Sequence, residues 1–130
     1  MAFPTPIDPR RLQEYSGGDL EFEQELLELF ITDAEQHLQG IEEAVAQIMT
    51  LEEADSKESN ISQHLEIIRQ EAHHLKGASG NIGAYSFQAI ATQIEQDAKH
   101  GIRASYASQL SHLKQAFTEV ITQVRQWPPA

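Results

Sequence analysis

The sequence predicts an all-α protein: an antiparallel four-helix bundle with a short additional N-terminal helix. No proline lies between residues 10 and 127, and clusters of β-branched residues are few, which favours long helices over strands. Four long segments also carry apolar residues at steps of three and four, so that each segment has one apolar face. Four such faces, joined by short connections, predict a bundle.

The first helix is predicted to be short and the second long. Asp8 is a suitable N-cap with Pro9 at the first helical position, and this helix should end near Tyr15, before a Ser-Gly-Gly turn. Asp19 then caps the second helix. Gly40 within it marks either a bend or close crossing, or simply a weak helical position. The apolar stripe of the second helix is Leu27, Phe30, Ala34, Leu38, Ile41, Val45 and Ile48.

The polar and acidic residues 51–60 are predicted to connect the second helix to the third, with the helix free to extend some way into this segment. The stripe of the third helix is Ile61, Leu65, Ile68, Ala72, Leu75, Ser79 and Ile82. This register directs Ala72 and Leu75 inward and places His73 about 100° further round the helix. His74 then lies on the opposite flank. The flank of His73 also carries Arg69, Lys76, Gly77 and Gly80.

The last two helices are predicted from similar signals. Gly83 can take a positive φ at the end of the third helix, Ser86 is predicted to cap the fourth, and Gly101 to terminate it. The fourth helix has the stripe Phe87, Ile90, Ala91, Ile94 and Ala98. The fifth should begin near Ser105 and stop at Pro128. Its stripe is Tyr106, Leu110, Leu113, Phe117, Val120, Val124 and Trp127.

Length and composition narrow the class of protein. The 130 residues are interpreted as one domain, 1–130, with flexible ends at 1–7 and 127–130. The absence of cysteine excludes disulfides and thiolate metal sites and fits a cytoplasmic location. The first residues contain no apolar run, and no stretch approaches the ~20 apolar residues of a membrane span, so neither a secretory signal nor a membrane anchor is expected. The net charge of −11 argues against nucleic acid and anionic membranes as partners.

The most specific stretch of the chain is residues 72–84, which read AHHLKGASGNIGA. Residues at i, i+3 and i+4 share a helix face, so His73, Lys76 and Gly77 should be neighbours. Helical side chains lean towards the N-terminus, so a side chain at 77 would cover His73, and glycine leaves the ring bare. An exposed imidazole beside a cation is suited to accept a phosphoryl group.

This stretch resembles the signature of histidine phosphotransfer (HPt) domains, the intermediate carriers of multistep two-component phosphorelays, reading here Ala72-His73-x-Leu75-Lys76-Gly77-x-Ser79-x-x-x-Gly83-Ala84. The resemblance implies that Nε2 of His73 accepts a phosphoryl group from an aspartyl phosphate of a receiver domain and passes it to a second receiver. The implied partners are response-regulator receivers or a hybrid sensor histidine kinase. Mg²⁺ would sit on the receiver, so this chain needs no cofactor, and the family is mostly monomeric. No phosphate-binding glycine loop is present, so a carrier rather than a kinase is expected.

The resemblance also assigns roles to residues around His73. Lys76 would stabilise charge and Gly77 would leave room for the partner. Family members carry a polar residue, often glutamine, on the next helix to orient the ring, and that position is Glu95 here. A carboxylate could accept the ring N–H or repel the phosphoryl group, and a solvated Glu95–Lys99 pair is the alternative. The supporting residues are Arg69, Gly80, Glu95 and Lys99.

Two other functions compete with the carrier hypothesis. One is an adaptor that binds receivers without being phosphorylated. The other is a metal-binding bundle, for which Glu71 and His74 form one Glu-x-x-His pair but no second pair has a plausible partner. The histidines at 37, 64, 100 and 112 show no ligand spacing with His74, so no metal site is predicted.

An apolar patch that is either a docking surface or core comprises Phe3, Ile7, Leu12, Leu20 and Phe22.

Overall fold

The structure is a computed structural model that describes residues 6–53 and 58–129. Within these ranges it is all-helical, with five helices and no strand. The helices are α1 (Pro9–Ser16), α2 (Leu20–Glu53), α3 (Glu58–Asn81), α4 (Tyr85–Lys99) and α5 (Tyr106–Arg125). The predicted fold class, a helical bundle with a short extra N-terminal helix, is confirmed.

The long helices form a closed bundle in chain order. Helix α3 packs between α2 and α4, and α5 packs on both α4 and α2, while α1 lies against α2. Because consecutive helices are neighbours and their connections are short, they run antiparallel. The two flanks of α3 therefore face different helices, which decides what each side chain near residue 73 can reach.

The predicted apolar stripes form the core. The α2 stripe is buried along its whole length, and the other three stripes are buried except for a few partly buried members, namely Leu65, Ile90, Leu110 and Trp127. The rings of Phe30, Phe87 and Phe117 meet at the centre, with centroids 5.8–6.5 Å apart. Such tilted and edge-on contacts suit aromatic quadrupoles and add to the burial of apolar surface.

The helix caps predicted near the N-terminus are present. The Asp8 carboxylate accepts a hydrogen bond from the backbone N–H of Arg10, and Gly17 ends α1 with φ +61°. Asp19 accepts from the N–H of Phe22 at 3.1 Å and so caps α2. These bonds satisfy donors that the first turn of a helix otherwise leaves unpaired.

The structure corrects one predicted helix boundary and narrows one predicted connection. Ser86 does not cap α4, because the helix already begins at Tyr85 and the N-cap position is Ala84, which has no side-chain cap. Ala84 is fully buried and donates its N–H to the carbonyl of Ser79, so packing of this turn decides where α4 starts. The connection between α2 and α3 occupies only part of the predicted segment 51–60, because α2 extends to Glu53 and α3 begins at Glu58, an extension of helix that the prediction allowed.

The turn between α3 and α4 holds the start of α1. The carbonyl of Gly83 accepts the N–H of Asp8 at 3.0 Å, and Gly83 has φ +78°. A Cβ at this position would lie 2.9 Å from the Asp8 carbonyl oxygen, so the turn requires glycine for its conformation and for space.

The chain ends make contacts with the bundle where they are described. Ile7 is fully buried, and the Trp127 indole donates to the buried carboxylate of Glu23, which also accepts from the Ser16 hydroxyl. Residues 1–5 and 130 lie outside the described residues. The single-domain boundaries and the flexibility of 1–7 and 127–130 stay predictions. Across the described ranges, no helix has the length and apolar character needed to cross a membrane.

Candidate functional site

The two adjacent histidines of α3 contact different helices. Nδ1 of His73 lies 2.6 Å from Oε2 of Glu95 on α4, whereas Nε2 of His74 lies 2.6 Å from Oδ2 of Asp33 on α2. This arrangement confirms the register predicted from the α3 stripe. The His73 side chain is 63% exposed, so its ring is anchored at one edge and open to solvent elsewhere.

Glu95 is the centre of a small charge network. Its other oxygen, Oε1, lies 2.7 Å from Nζ of Lys76, while the side chain is only 13% exposed. Burial raises the pKa of the Glu95 carboxyl group, but the hydrogen bonds and charges of Lys76 and His73 outweigh this, and the net pKa is lowered. Glu95 is therefore a carboxylate at neutral pH. Glu95 pairs with Lys76 and not with Lys99, so the alternative of a solvated Glu95–Lys99 pair is wrong.

This carboxylate fixes the tautomer of His73. A carboxylate can only accept, so Nδ1 must carry the proton and donate it to Glu95. In the neutral ring Nε2 then holds a lone pair. Within residues 6–53 and 58–129 no hydrogen-bond partner of Nε2 is found. The ring is thus an oriented, accessible nucleophile.

The two glycines beside His73 have different surroundings. A Cβ at Gly77 would meet nothing within 4 Å, so packing inside this chain does not require glycine there. A Cβ at Gly80 would lie 2.4 Å from the Gln88 amide nitrogen, which donates to the carbonyl of Lys76. Gly80 therefore makes room for a side chain of α4, whereas Gly77 leaves open surface next to the imidazole.

Arg69 and Lys99 line a surface groove next to Glu95. The Arg69 guanidinium binds both carboxylate oxygens of Glu66, with Nε 2.8 Å from Oε2, and this hydrogen bonding lowers the pKa of Glu66 to about 2. Lys99 is exposed. Both cations line this groove, but neither forms a hydrogen bond or ion pair with His73 among the described residues.

The predicted apolar patch divides between core and surface. Ile7 and Leu12 are fully buried, so for them the core alternative is confirmed. Leu20 is 51% exposed and Phe22 is 39% exposed, while Phe3 lies outside the described residues.

Sequence reasoning missed a second cluster, on the other flank of α3. Asp33 and His37 of α2 meet Glu71 and His74 of α3, and we call these four residues the α2–α3 histidine cluster. The sequence spacing of His37 and His74 suggested no ligand pattern, yet in the structure their rings stack with centroids 3.8 Å apart. The sequence does show Asp33 and His37 at an i,i+4 spacing and Glu71 and His74 at an i,i+3 spacing. Because the two pairs lie on different helices, their spacing alone does not show that they meet.

The sequence matches the Hpt domain family over residues 25–127. No curated protein matches the sequence. Among solved structures, the chain is similar to the histidine-containing phosphotransfer protein B (HptB) from Pseudomonas aeruginosa PAO1, with a TM-score of 0.78 and 21% sequence identity. The alignment covers 96% of this chain and 95% of that one, and at this identity it shows a shared fold.

Proposed function

Because the chain belongs to the Hpt domain family, whose members carry phosphoryl groups in two-component phosphorelays without kinase activity, we propose that His73 is its phosphoryl acceptor. The donor is the aspartyl phosphate of a receiver domain, and a second receiver takes the group away. The protein is thus an intermediate between a hybrid sensor kinase or receiver and a response regulator.

The observation that carries this proposal is the hydrogen bond between Nδ1 of His73 and Glu95, made by a ring that is 63% exposed. With the proton held on Nδ1, the Nε2 lone pair attacks phosphorus in line with the bond to the aspartyl oxygen. The N–P bond forms while that P–O bond breaks, and the receiver's aspartate leaves as a carboxylate. The ring becomes more cationic as it reacts, and the Glu95 carboxylate stabilises this charge.

Lys76 resolves a conflict that Glu95 would otherwise create. A carboxylate near the acceptor repels an incoming phosphoryl group, but the Lys76 ammonium lies 2.7 Å from it and balances its charge. Lys76 is also three residues from His73, on the same helix face, and so within reach of the phosphoryl oxygens. Its proposed role is to compensate Glu95 before transfer and to attract the phosphoryl group during it.

The partner domain supplies the rest of the chemistry. Mg²⁺ belongs to the receiver, where it neutralises the phosphoryl oxygens, so this chain needs no metal for transfer. The open surface at Gly77 admits the receiver's active site to the imidazole. Exposed Leu20 and Phe22 supply apolar surface for docking. The proposed carrier acts as a monomer in the cytoplasm.

The test is phosphoryl transfer from a phosphorylated receiver domain to the wild-type chain, His73→Gln and His74→Gln. His74 is the matched control, because it is the next residue and also hydrogen-bonds a carboxylate, yet it contacts α2 instead of α4. We expect wild type and His74→Gln to acquire an acid-labile, alkali-stable phosphoryl group and His73→Gln to acquire none.

Other outcomes would contradict the proposal in different ways. If no variant is labelled by several receivers but the wild type still binds them, the chain is an unphosphorylated adaptor. If label persists in His73→Gln and disappears in His74→Gln, the acceptor has been assigned to the wrong flank of α3.

A further inference from the structure

The α2–α3 histidine cluster directs two imidazole nitrogens at one carboxylate. Nε2 of His74 lies 2.6 Å from Oδ2 of Asp33, and Nε2 of His37 lies 3.3 Å from Oδ1 of the same residue. The two rings are stacked, with an interplanar angle of 27°. One ligand atom from each of the three residues can be chosen so that all lie within 4.8 Å of one another.

These distances suit a single bound ion. Zinc bonds of about 2.0–2.1 Å in a tetrahedral site place neighbouring ligand atoms about 3.3 Å apart. Nε2 of His37 lies at about this separation from Oδ1 of Asp33, whereas Nε2 of His74, at 2.6 Å from Oδ2 of the same carboxylate, would have to move outward by about 0.7 Å. The His74 side chain is 46% exposed, which leaves solvent space for this movement.

Glu71 orients one of these rings. Its Oε2 lies 2.6 Å from Nδ1 of His37, on the side of the ring away from Asp33. A carboxylate that binds the second nitrogen of a ligating histidine fixes the tautomer with the lone pair on the other nitrogen, a common arrangement at zinc sites. Gly40 allows this position, because a Cβ there would lie 3.1 Å from the Glu71 carboxyl carbon.

The charge of the cluster also favours a dication. Metal binding requires both imidazoles to give up the proton on the ligating nitrogen, and with both rings counted as neutral in that state the two carboxylates leave the cluster a formal charge of −2. In the described part of the chain, the ion-pair partners recorded for Asp33 and Glu71 are these histidines, not lysine or arginine. A divalent ion would balance the charge, whereas the acidic site at Glu95 is already compensated by Lys76.

We infer that the α2–α3 histidine cluster binds one divalent transition-metal ion of the zinc class. Nε2 of His37, Nε2 of His74 and the Asp33 carboxylate are the ligands, Glu71 holds His37, and solvent fills the remaining position. Imidazole ligands select zinc, copper or nickel over Mg²⁺, which prefers oxygen. The site therefore does not compete for the Mg²⁺ of a receiver, and it joins α2 to α3 on the flank that His73 does not use.

The test uses two titrations of the full chain. Zn²⁺ binding is measured by calorimetry in a buffer that contains excess Mg²⁺, and Co²⁺ binding is measured by visible absorption. We expect one ion per chain and the intense bands of a four- or five-coordinate Co²⁺ site. His74→Gln should weaken binding by at least 100-fold and Asp33→Asn by a similar factor. Glu71→Gln, which loses only the orienting carboxylate, should weaken binding about 10- to 100-fold.

Two controls separate this site from other histidines. His112→Gln removes an exposed histidine of α5 and should leave the affinity within twofold of wild type. His73→Gln should also bind Zn²⁺ with wild-type affinity, and this result would show that the metal site does not include the phosphoryl acceptor. The inference is overturned if the wild type shows no saturable Zn²⁺ binding with a dissociation constant below about 1 mM. Equal binding by wild type and His74→Gln would overturn it as well.

Discussion

Oε2 of Glu95 lies 2.6 Å from Nδ1 of His73, and the Glu95 side chain is only 13% exposed. This contact is the one hydrogen bond between the imidazole and another helix among the described residues, so α4 determines the orientation of a ring that α3 carries. The same carboxylate is paired with Lys76. Ring orientation and local charge are therefore coupled through a single residue.

Replacing Glu95 should separate its hydrogen bond from its charge. Glu95→Gln keeps an acceptor for the Nδ1 proton but loses the negative charge that stabilises the reacting ring, so we expect phosphoryl transfer slower than in wild type but faster than in Glu95→Ala. Glu95→Ala removes the acceptor, and loss of a hydrogen bond to a charged group costs about 1.5–3 kcal/mol, or roughly 10- to 100-fold in rate. Rapid-quench transfer kinetics from a phosphorylated receiver measure both. Equal rates for the two variants would show that Glu95 does not orient His73.

The lowered pKa of Glu95 predicts how pH affects stability. A carboxyl group whose folded-state pKa lies below its ordinary value of 4.5 stabilises the fold above that value, and the contribution is lost as the pH falls through the folded-state pKa. Glu95→Gln should therefore be less stable than wild type at pH 7, and the difference should shrink below about pH 4. Urea unfolding across this range gives the difference. The exposed Glu25→Gln is the control, and a difference independent of pH would contradict the prediction.

Much of the fold could be predicted because its signals are local. The apolar stripes need only helical periodicity, and Asp8 and Asp19 act as caps through bonds to residues two or three positions away. The α3 stripe also placed His73 and His74 on opposite flanks, since the angle between adjacent residues is fixed. The position of Glu95 came from the family resemblance, and the structure adds its bond to His73.

What the sequence could not predict depends on packing between helices. His37 and His74 are 37 residues apart and meet only because α2 and α3 lie side by side. The pairing of Glu95 with Lys76 instead of Lys99 likewise depends on how α4 lies against α3. Ser86 has the chemistry of a cap, but the packing of the buried Ala84 starts α4 two residues earlier. Local preference gives way where tertiary contacts fix the backbone.

Position 77 should tolerate substitution in the fold but not in function. Gly77→Ala meets open space, and alanine is favoured over glycine inside a helix by about 1 kcal/mol, so the free energy of unfolding should rise. Gly77→Leu should also fold, but its side chain leans over His73 and should slow transfer at least 10-fold. Urea unfolding and transfer kinetics on both variants provide the measurement. Normal transfer by Gly77→Leu would remove the proposed role of this glycine as clearance.

Position 83 should show the opposite behaviour. Gly83 combines φ +78° with a virtual Cβ 2.9 Å from the Asp8 carbonyl oxygen, so alanine meets both backbone strain and a clash. Gly101 has a similar φ of +71° but open space, and therefore isolates the strain alone. We expect Gly101→Ala to lower the free energy of unfolding by about 1–2 kcal/mol, the usual cost of a left-handed L-residue. Gly83→Ala should cost more, and should release α1 from the α3–α4 turn. Hydrogen exchange at the Asp8 amide, which donates to Gly83, reports that release, and equal losses in both variants would show that the contact with α1 adds nothing.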